Sequence, residues 1–498
     1  MDAVNLIPLP VLLPLIGAGI AMCFPRSPRV QRIVSATSLT LVLVVAALLV
    51  WQSTEGPQAL WVGAWPEGLG IVLVADRLSS LMVLVSSIVT ITVLVFATRQ
   101  DQDAGTSQAP VSIFHPTYLV LSAGVANAFL SGDLFNLFVG FEMLLFASYV
   151  LLTLGAPRER VRAGSTYIVV SIVSSTLFLI AIAVVYAAVG TVNFAQMSER
   201  LPELGEGIQL TIQLLLLTVF AIKAAIFPLS SWLPDSYPTA PASVTAVFAG
   251  LLTKVGVYAI IRLQTLLFPD SPLTDLLLWA ALATMIVGIL GALAQNEIKR
   301  LLSFTLVSHI GYMVLGIGLA SEAGLAGSIF YVAHHILIQT ALFLVVGLIE
   351  RAGGSTSMSK IGGLAAVPVL AVLFFVPAIN LAGLPPFSGF LGKVALFQAG
   401  IAEGTPLAYA LVFGGIATSL LTLLAIIRVW HRAFWEPERE EHPEHRRLPA
   451  SWLVTAGALV AITCAISVVA GPLSTFATDA AHDLRDQTYV TAVEEAMP

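Results

Sequence analysis

Along its 498 residues the chain alternates long apolar runs with short polar breaks. A run of about 20 apolar residues can cross the hydrocarbon core of a bilayer as a helix. Such runs recur near 4–24, 30–51, 77–97, 113–131, 133–154, 164–189, 208–227, 238–262, 272–294, 299–320, 325–349, 363–401, 407–430 and 451–472. They predict fourteen spanning helices and leave little chain for a soluble domain. A closed β-barrel would also satisfy a backbone in lipid, but these runs are too long and too evenly apolar for alternating barrel strands. The expected fold class is an all-α polytopic membrane protein.

Two of the runs are interrupted in mid-membrane. The first break reads Lys223-Ala-Ala-Ile-Phe-Pro228, then Trp232-Leu-Pro234-Asp235 and Pro238 to Pro241; the second reads Gly383-Leu-Pro385-Pro386-Phe-Ser-Gly389, with Lys393 close behind. Proline has no N–H to return to the carbonyl four residues earlier, so Ala224, Leu381 and Ala382 lose their helical partners. Broken backbone persists at membrane depth only where protein or a wet cavity satisfies it. The breaks fall in the seventh and twelfth spans, and an odd offset inverts the second unit. Paired broken helices of this kind mark inverted repeats with ion sites near the midplane. Spans 4–8 and 9–13 are therefore expected to be two inverted five-helix repeats. The implied divisions are 1–112 for the first three helices, 113–262 and 263–434 for the repeats, and 435–498 for a charged inside loop, the last helix and a short outside tail.

Composition and charge sharpen this picture. Hydrophobic residues make up 57% of the chain and charged residues 10%, so each ionisable group inside a span is costly and points to an ion path. Lys223, Lys254, Lys393 and Glu142 are such groups. Lys254 lies about sixteen residues into its span, too deep to snorkel to the interface. Burial disfavours the charged form of a lysine, which suits a group that must release and regain a proton. Glu142 is expected to pair with Lys223, whereas Asp133, after Ser131-Gly132 at a span start, is expected to cap its helix.

Helical stripes supply further polar groups. Thr305, Ser308, His309 and Tyr312 share one face of the tenth span, His335 and Gln339 lie one turn apart on the eleventh, and Tyr167, Ser171, Ser174 and Ser175 follow the same period on the sixth. Histidine titrates near neutral pH, so His309 and His335 are candidates for a central relay. His334 points about 100° away from its neighbour and reads as a packing residue. The serines are as readily helix-to-helix glue.

Sixteen of the twenty-three basic residues, among them Arg26, Arg158, Arg162, Lys299, Arg351 and Arg428, fall in loops on one side. The positive-inside rule makes that side cytoplasmic and places both termini outside. The start of the chain has no basic region before its apolar run and no cleavage site, and reads as an uncleaved anchor. A net charge of −6 with basic loops confined to one face implies no nucleic acid. Cys23 and Cys464 lack metal-ligand spacing, and no phosphate loop or hydrolase motif occurs. The polar run Glu436 to Arg447, with His442 and His445, reads as a solvated connector. No cofactor or metal is expected, and the chain is not expected to be an enzyme.

Leu130-Ser-Gly-Asp133-Leu-Phe-Asn-Leu-Phe138 with Phe141-Glu142, the run from Lys223 to Pro234, and Gly383 to Gly389 with Lys393 resemble the antiporter-like membrane subunits. These are shared by Mrp-type sodium/proton antiporters, respiratory complex I and membrane-bound hydrogenases. Ala75-Asp76-Arg77-Leu78-Ser79, the run from Asp133 to Leu152 and that from Tyr331 to Glu350 are most similar to the D-type subunits of Mrp antiporters. The resemblance covers nearly the whole chain.

It implies fourteen helices around a buried polar axis, with Glu142 and Lys223 as the ion pair of the first half-channel, Lys254 as the connecting lysine, His335 in the central relay and Lys393 as the terminal lysine. Pro228, Pro385 and Pro386 at the breaks, with Ser174 and Gln339, would support the path. Many relatives have lysine where this chain has Gln339, which shifts weight here onto the histidines and water. The implied function is antiport of sodium or a similar cation against protons, driven by the proton-motive force and serving pH homeostasis. The implied setting is a prokaryotic plasma membrane, with the A, B, C, E, F and G subunits of an Mrp complex as partners. A pump component of a redox complex is the alternative, to be told apart by its partners; a self-sufficient solute carrier is the more remote one.

Overall fold

The computed structural model describes residues 3–65, 70–103, 111–155, 158–437, 448–486 and 488–497. In chain order the helices and strands are α1 Leu9–Cys23, α2 Pro28–Gln52, β1 Gln58–Trp61, β2 Val72–Ala75, α3 Arg77–Asp103, α4 Val111–Leu130, α5 Leu134–Thr153, α6 Arg158–Val189, α7 Phe194–Arg200 and α8 Glu206–Ala224. There follow α9 Trp232–Ser236, α10 Ala242–Val247, α11 Thr253–Arg262, α12 Thr274–Leu293, α13 Ile298–Gly318, α14 Glu322–Gly353, α15 Pro368–Ala382, α16 Ser388–Glu403, α17 Pro406–Trp430, α18 Ala450–Val468, α19 Ala470–Asp483 and α20 Thr488–Glu495.

Among the described residues, thirteen helical segments are long and apolar enough to cross a bilayer. The expected fourteenth run is divided at Gly383 to Phe387 into α15, a shorter apolar helix, and α16. Burial orders these segments. The most apolar windows of Ala242–Leu267 and Glu322–Gly353 are 100% buried and that of Ile298–Gly318 is 94% buried, whereas Gly164–Val189 and Ala450–Val468 reach 33%. The protein's centre is thus α10–α11, α13 and α14, the helices that carry Lys254, His309 and His335. A helix apolar all round belongs in such a place, so the polar groups on these helices are the exceptions that call for a reason.

The two breaks form as the prolines dictate. Helix α8 ends with Ala225 in the left-handed region (φ 59°), and α15 ends with Gly383 likewise (φ 85°). Phe227–Pro228 and Pro385–Pro386 are cis. At the first break the Phe227 N–H donates to Thr284 Oγ1 at 3.0 Å and the Trp232 indole N–H donates to the Ile222 carbonyl at 3.1 Å. Gly256 permits the close approach of α11 here, since a Cβ on it would lie 2.6 Å from the Ala224 nitrogen.

Some features depart from the sequence reading. A two-stranded antiparallel hairpin, Gln58 opposite Ala75 and Trp61 opposite Val72, breaks the all-helical pattern. It persists because Val72 to Ala75 are all buried and the Val72 carbonyl accepts from Gly132 N–H at 2.8 Å. The tail, expected to be a short extension, forms α19 and α20. The Trp61 indole N–H holds α20 by donating to the Val493 carbonyl at 3.1 Å. The helix of Lys254 continues through a π turn to Leu267, beyond the expected end at 262. The charged run expected to be a connector lies, from residue 438 to 447, outside the described residues.

Candidate functional site

Lys223 stands in the last turn of α8, 7% exposed. Its ammonium donates to Ser175 Oγ at 3.0 Å and lies 5.5 Å from the centre of the Phe141 ring. The Ser175 hydroxyl in turn donates to Glu142 Oε1. The direct Glu142–Lys223 ion pair expected from the sequence is therefore not made, because Ser175 projects from α6 between the two. Ser174, the serine that the sequence put forward as supporting the path, turns instead toward a cavity of about 20 Å³ bounded by Phe141, Tyr167, Trp232 and Lys223. Its buried Oγ has no hydrogen-bond partner. Asp133 caps α5 as its position suggested, accepting from Asn136 N–H at 2.6 Å.

Lys254 is fully buried on α11. A π turn, Phe248–Leu252, precedes it, and its ammonium donates to the Ala249 carbonyl of that turn at 2.5 Å. π turns inside α-helices occur often at functional sites. With Gly256 packed on the Lys223–Ala224 backbone and Gly250 against Thr340 of α14, this segment lies between the first break and the histidine helix.

The centre is a cluster of rings. His309 and His335 lie 5.1 Å apart, and His309 and Tyr312 5.6 Å apart. His309 Nδ1 shares a hydrogen bond of 2.8 Å with the Tyr331 hydroxyl. Both ring nitrogens of His335, and Nε2 of His309 and of His334, are buried without a hydrogen-bond partner. Buried polar atoms are rarely left so, and each case calls for a reason. Gln339 ties α14 to α13 by donating to the Leu302 carbonyl at 2.9 Å. Of the expected stripe on α13, Ser308 is spent on the Met285 carbonyl at 2.8 Å and Thr305 on its own helix, while His309 and Tyr312 face the cluster. His334, read as a packing residue, holds Ser388 at 2.9 Å, where α16 begins.

Lys393 answers the second break directly. The carbonyls that Pro385 and Pro386 deprive of partners, Leu381 and Ala382, accept from the Lys393 ammonium at 3.3 and 3.0 Å. Its third bond goes to Ser419 Oγ at 2.8 Å, and its charge lies 4.9 Å from the centre of the Tyr312 ring. Ser419 donates its own proton to the Ala382 carbonyl at 2.8 Å. From His335 through His309 and Tyr312 to Lys393, each group thus has the next within ring contact.

Sequence reasoning missed a buried pair on the Lys254 helix. Arg262, the last residue of the apolar run 238–262, is 2% exposed, and its two terminal nitrogens each lie 2.7 Å from an Asp76 oxygen. Its Nε donates to the Tyr258 hydroxyl at 3.0 Å, and its guanidinium lies 4.9 Å from the centre of the Tyr489 ring. Burial pushes the Asp76 carboxyl up, but the Arg262 charge and the bonds from Ser79 outweigh it and hold the acid below its usual range. The available signal was Tyr258 and Arg262 following Lys254 at four-residue steps.

A family model described as NADH:quinone oxidoreductase/Mrp antiporter, TM, matches residues 131–422. The D-type Na⁺/H⁺ antiporter subunit of Alkalihalophilus pseudofirmus is 39% identical over 497 residues, covering 98% of this chain and 99% of the relative. Among solved structures, the chain is similar to one in the Mrp complex of a Dietzia species, with a TM-score of 0.92, 32% identity and coverage of 99% and 100% of the two chains. It is also similar to one in the membrane-bound sulfane sulfur reductase, an archaeal respiratory membrane complex, with a TM-score of 0.90, 25% identity and coverage of 98% and 99%. Matched along nearly its whole length in sequence and in backbone, the chain belongs to the NADH:quinone oxidoreductase/Mrp antiporter family of membrane subunits, in the branch of the D-type Na⁺/H⁺ antiporter subunits.

Proposed function

We propose that this chain is the proton-translocating subunit of a hetero-oligomeric Mrp-type antiporter, exchanging sodium or a similar monovalent cation for protons at the expense of the proton-motive force. The observation that carries the reading is the repeated pairing of a proline break with a buried lysine whose ammonium hydrogen-bonds inside the protein. A charge at such depth is costly, so its retention points to a function. Between the two breaks, Lys254 and the His335–His309–Tyr312 series supply groups that can take, hold or pass a proton, and the orphaned imidazole nitrogens are the kind of lining that a chain of hydrogen-bonded water requires.

In this reading a proton arriving at the first site changes the charge of the Glu142–Ser175–Lys223 group. The altered field biases Lys254, then the central rings and Lys393. One elementary charge crossing the full membrane potential is worth about 2.3 kcal/mol per 100 mV, enough to drive such steps. The partners would be the A, B, C, E, F and G subunits of an Mrp complex, in a prokaryotic plasma membrane with both termini outside the cytoplasm, and the repeats would divide as 113–262 and 263–434.

The test is cation/proton exchange in everted vesicles carrying the whole complex. Lys223→Ala and Lys393→Ala should each lower exchange at least about 100-fold, in line with the worth of a positioned proton-transfer group, with subunit levels unchanged. Either variant exchanging at the parental rate would falsify the axis. The likeness to a chain of an archaeal respiratory complex supports a second reading, a redox-driven pump. Mass spectrometry of the proteins that co-purify with the chain separates the two, since flavin or iron–sulfur partners belong only to the pump.

A further inference from the structure

We infer that Ser175 is a proton-relaying residue of the first site, carrying a proton between Lys223 and Glu142; the inference rests on the antiporter reading above. A serine hydroxyl has one proton to donate and lone pairs with which to accept. Here both capacities are used in one direction: Lys223 Nζ donates to Ser175 Oγ at 3.0 Å, and Ser175 Oγ donates to Glu142 Oε1. The hydroxyl thus links the two charged groups.

The step balances without a further reagent. A Lys223 N–H bond breaks, leaving its electron pair on nitrogen, and a new O–H bond forms on Ser175. The original Ser175 O–H bond breaks as its proton joins Glu142 Oε1. Ammonium, hydroxyl and carboxylate become amine, hydroxyl and carboxylic acid, and serine is regenerated. The group stays neutral throughout, so no net charge is left uncompensated in a low-dielectric setting where that would be costly. Neither long side chain has to move to meet the other.

Among the described residues, the second half shows no equivalent. Ser419 accepts from Lys393 in the same way but donates to the backbone carbonyl of Ala382, which cannot keep a proton. A relay therefore exists only where a carboxylate ends the chain, and Ser175 rather than Ser174 is the serine that matters.

The decisive measurement is exchange by the assembled complex in everted vesicles with Ser175→Ala, Ser175→Cys and Ser175→Thr, alongside Lys223→Ala. Alanine and cysteine, lacking a good hydroxyl donor and acceptor, should cost about 100-fold, while threonine, which keeps the hydroxyl, stays within about threefold of the parent. An assembled Ala or Cys variant at the parental rate, with Lys223→Ala inactive beside it, overturns the relay and leaves the antiporter reading standing; so does a Thr variant no better than Ala. If Lys223→Ala itself exchanges normally, the axis and the relay fall together.

Discussion

The two breaks use one device and finish it differently. In both, a residue in the left-handed region ends the first half-helix, proline strips the next carbonyls of their partners, and a lysine stands within reach. At the first break the ammonium is linked through Ser175 to the formal charge of Glu142, on the flank where α5 and α6 leave Phe146 and Ile172 exposed. At the second, among the described residues, it faces two carbonyls, a hydroxyl and a tyrosine ring, enclosed at 2% exposure. The contrast extends along each half, since the first also holds the Asp76–Arg262 pair on its lysine helix. A site with a resident carboxylate can move a proton internally; a site without one must take it from, or give it to, something outside itself.

The comparison can be broken in three places. Removing the buried charge of the first half should have the largest effect on stability. Asp76→Asn leaves Arg262 unpaired in the interior, and losing one partner of a buried pair costs about 3–5 kcal/mol, measurable as a fall in the melting temperature of the purified complex. Because the Asp76 carboxyl is held low when folded, its contribution is complete above the unfolded carboxylate value of about 4 and is lost as pH falls through the folded value. The gap between parent and variant should thus be flat from pH 9 to about 5 and close in stronger acid. A gap that shrinks between pH 8 and 6 would mean that another group is responsible.

A middling effect is expected at the seam of the first break. Gly256→Ala places a methyl 2.6 Å from the Ala224 nitrogen, and overpacking of this kind costs about 1–3 kcal/mol. Exchange should fall with it, because the backbone displaced is that of Lys223. Normal exchange by this variant would show that the first break tolerates a shift. The smallest effect is expected from Ser419→Ala, since Lys393 keeps two carbonyl acceptors and one neutral hydrogen bond is worth about 0.5–1.5 kcal/mol net. Exchange within a few-fold of the parent, against the large loss foreseen for Ser175→Ala, would separate a relaying serine from a supporting one; equal losses would erase the distinction between the halves.

Much of the fold was legible because lipid leaves so few options. Apolar runs gave the spans and prolines gave the breaks, with Leu381 and Ala382 left without helical partners; that Lys393 meets both carbonyls is visible only in the structure. The Asp133 cap was readable for a similar local reason. What stayed hidden was long-range. Ser174 and Ser175 differ by about 100° around one helix, and only the packing of α6 on α5 and α8 selects the second. The Asp76–Arg262 pair joins residues 186 positions apart, and Arg262 at the edge of its run looked like an ordinary loop charge.

By itself, then, the sequence determined that this protein crosses a membrane many times, that two of its helices are broken, and that lysines, a glutamate and histidines lie inside its apolar runs. These follow from the transfer cost of polar groups and the chemistry of proline, which act residue by residue. The tertiary structure alone decided which groups touch: Ser175 between Glu142 and Lys223, Tyr331 on His309, Ser419 under Lys393 and Arg262 on Asp76. Hydrogen bonds reach about 3 Å, so helix rotation and the packing of neighbouring helices, neither fixed by local pattern, settle the chemistry.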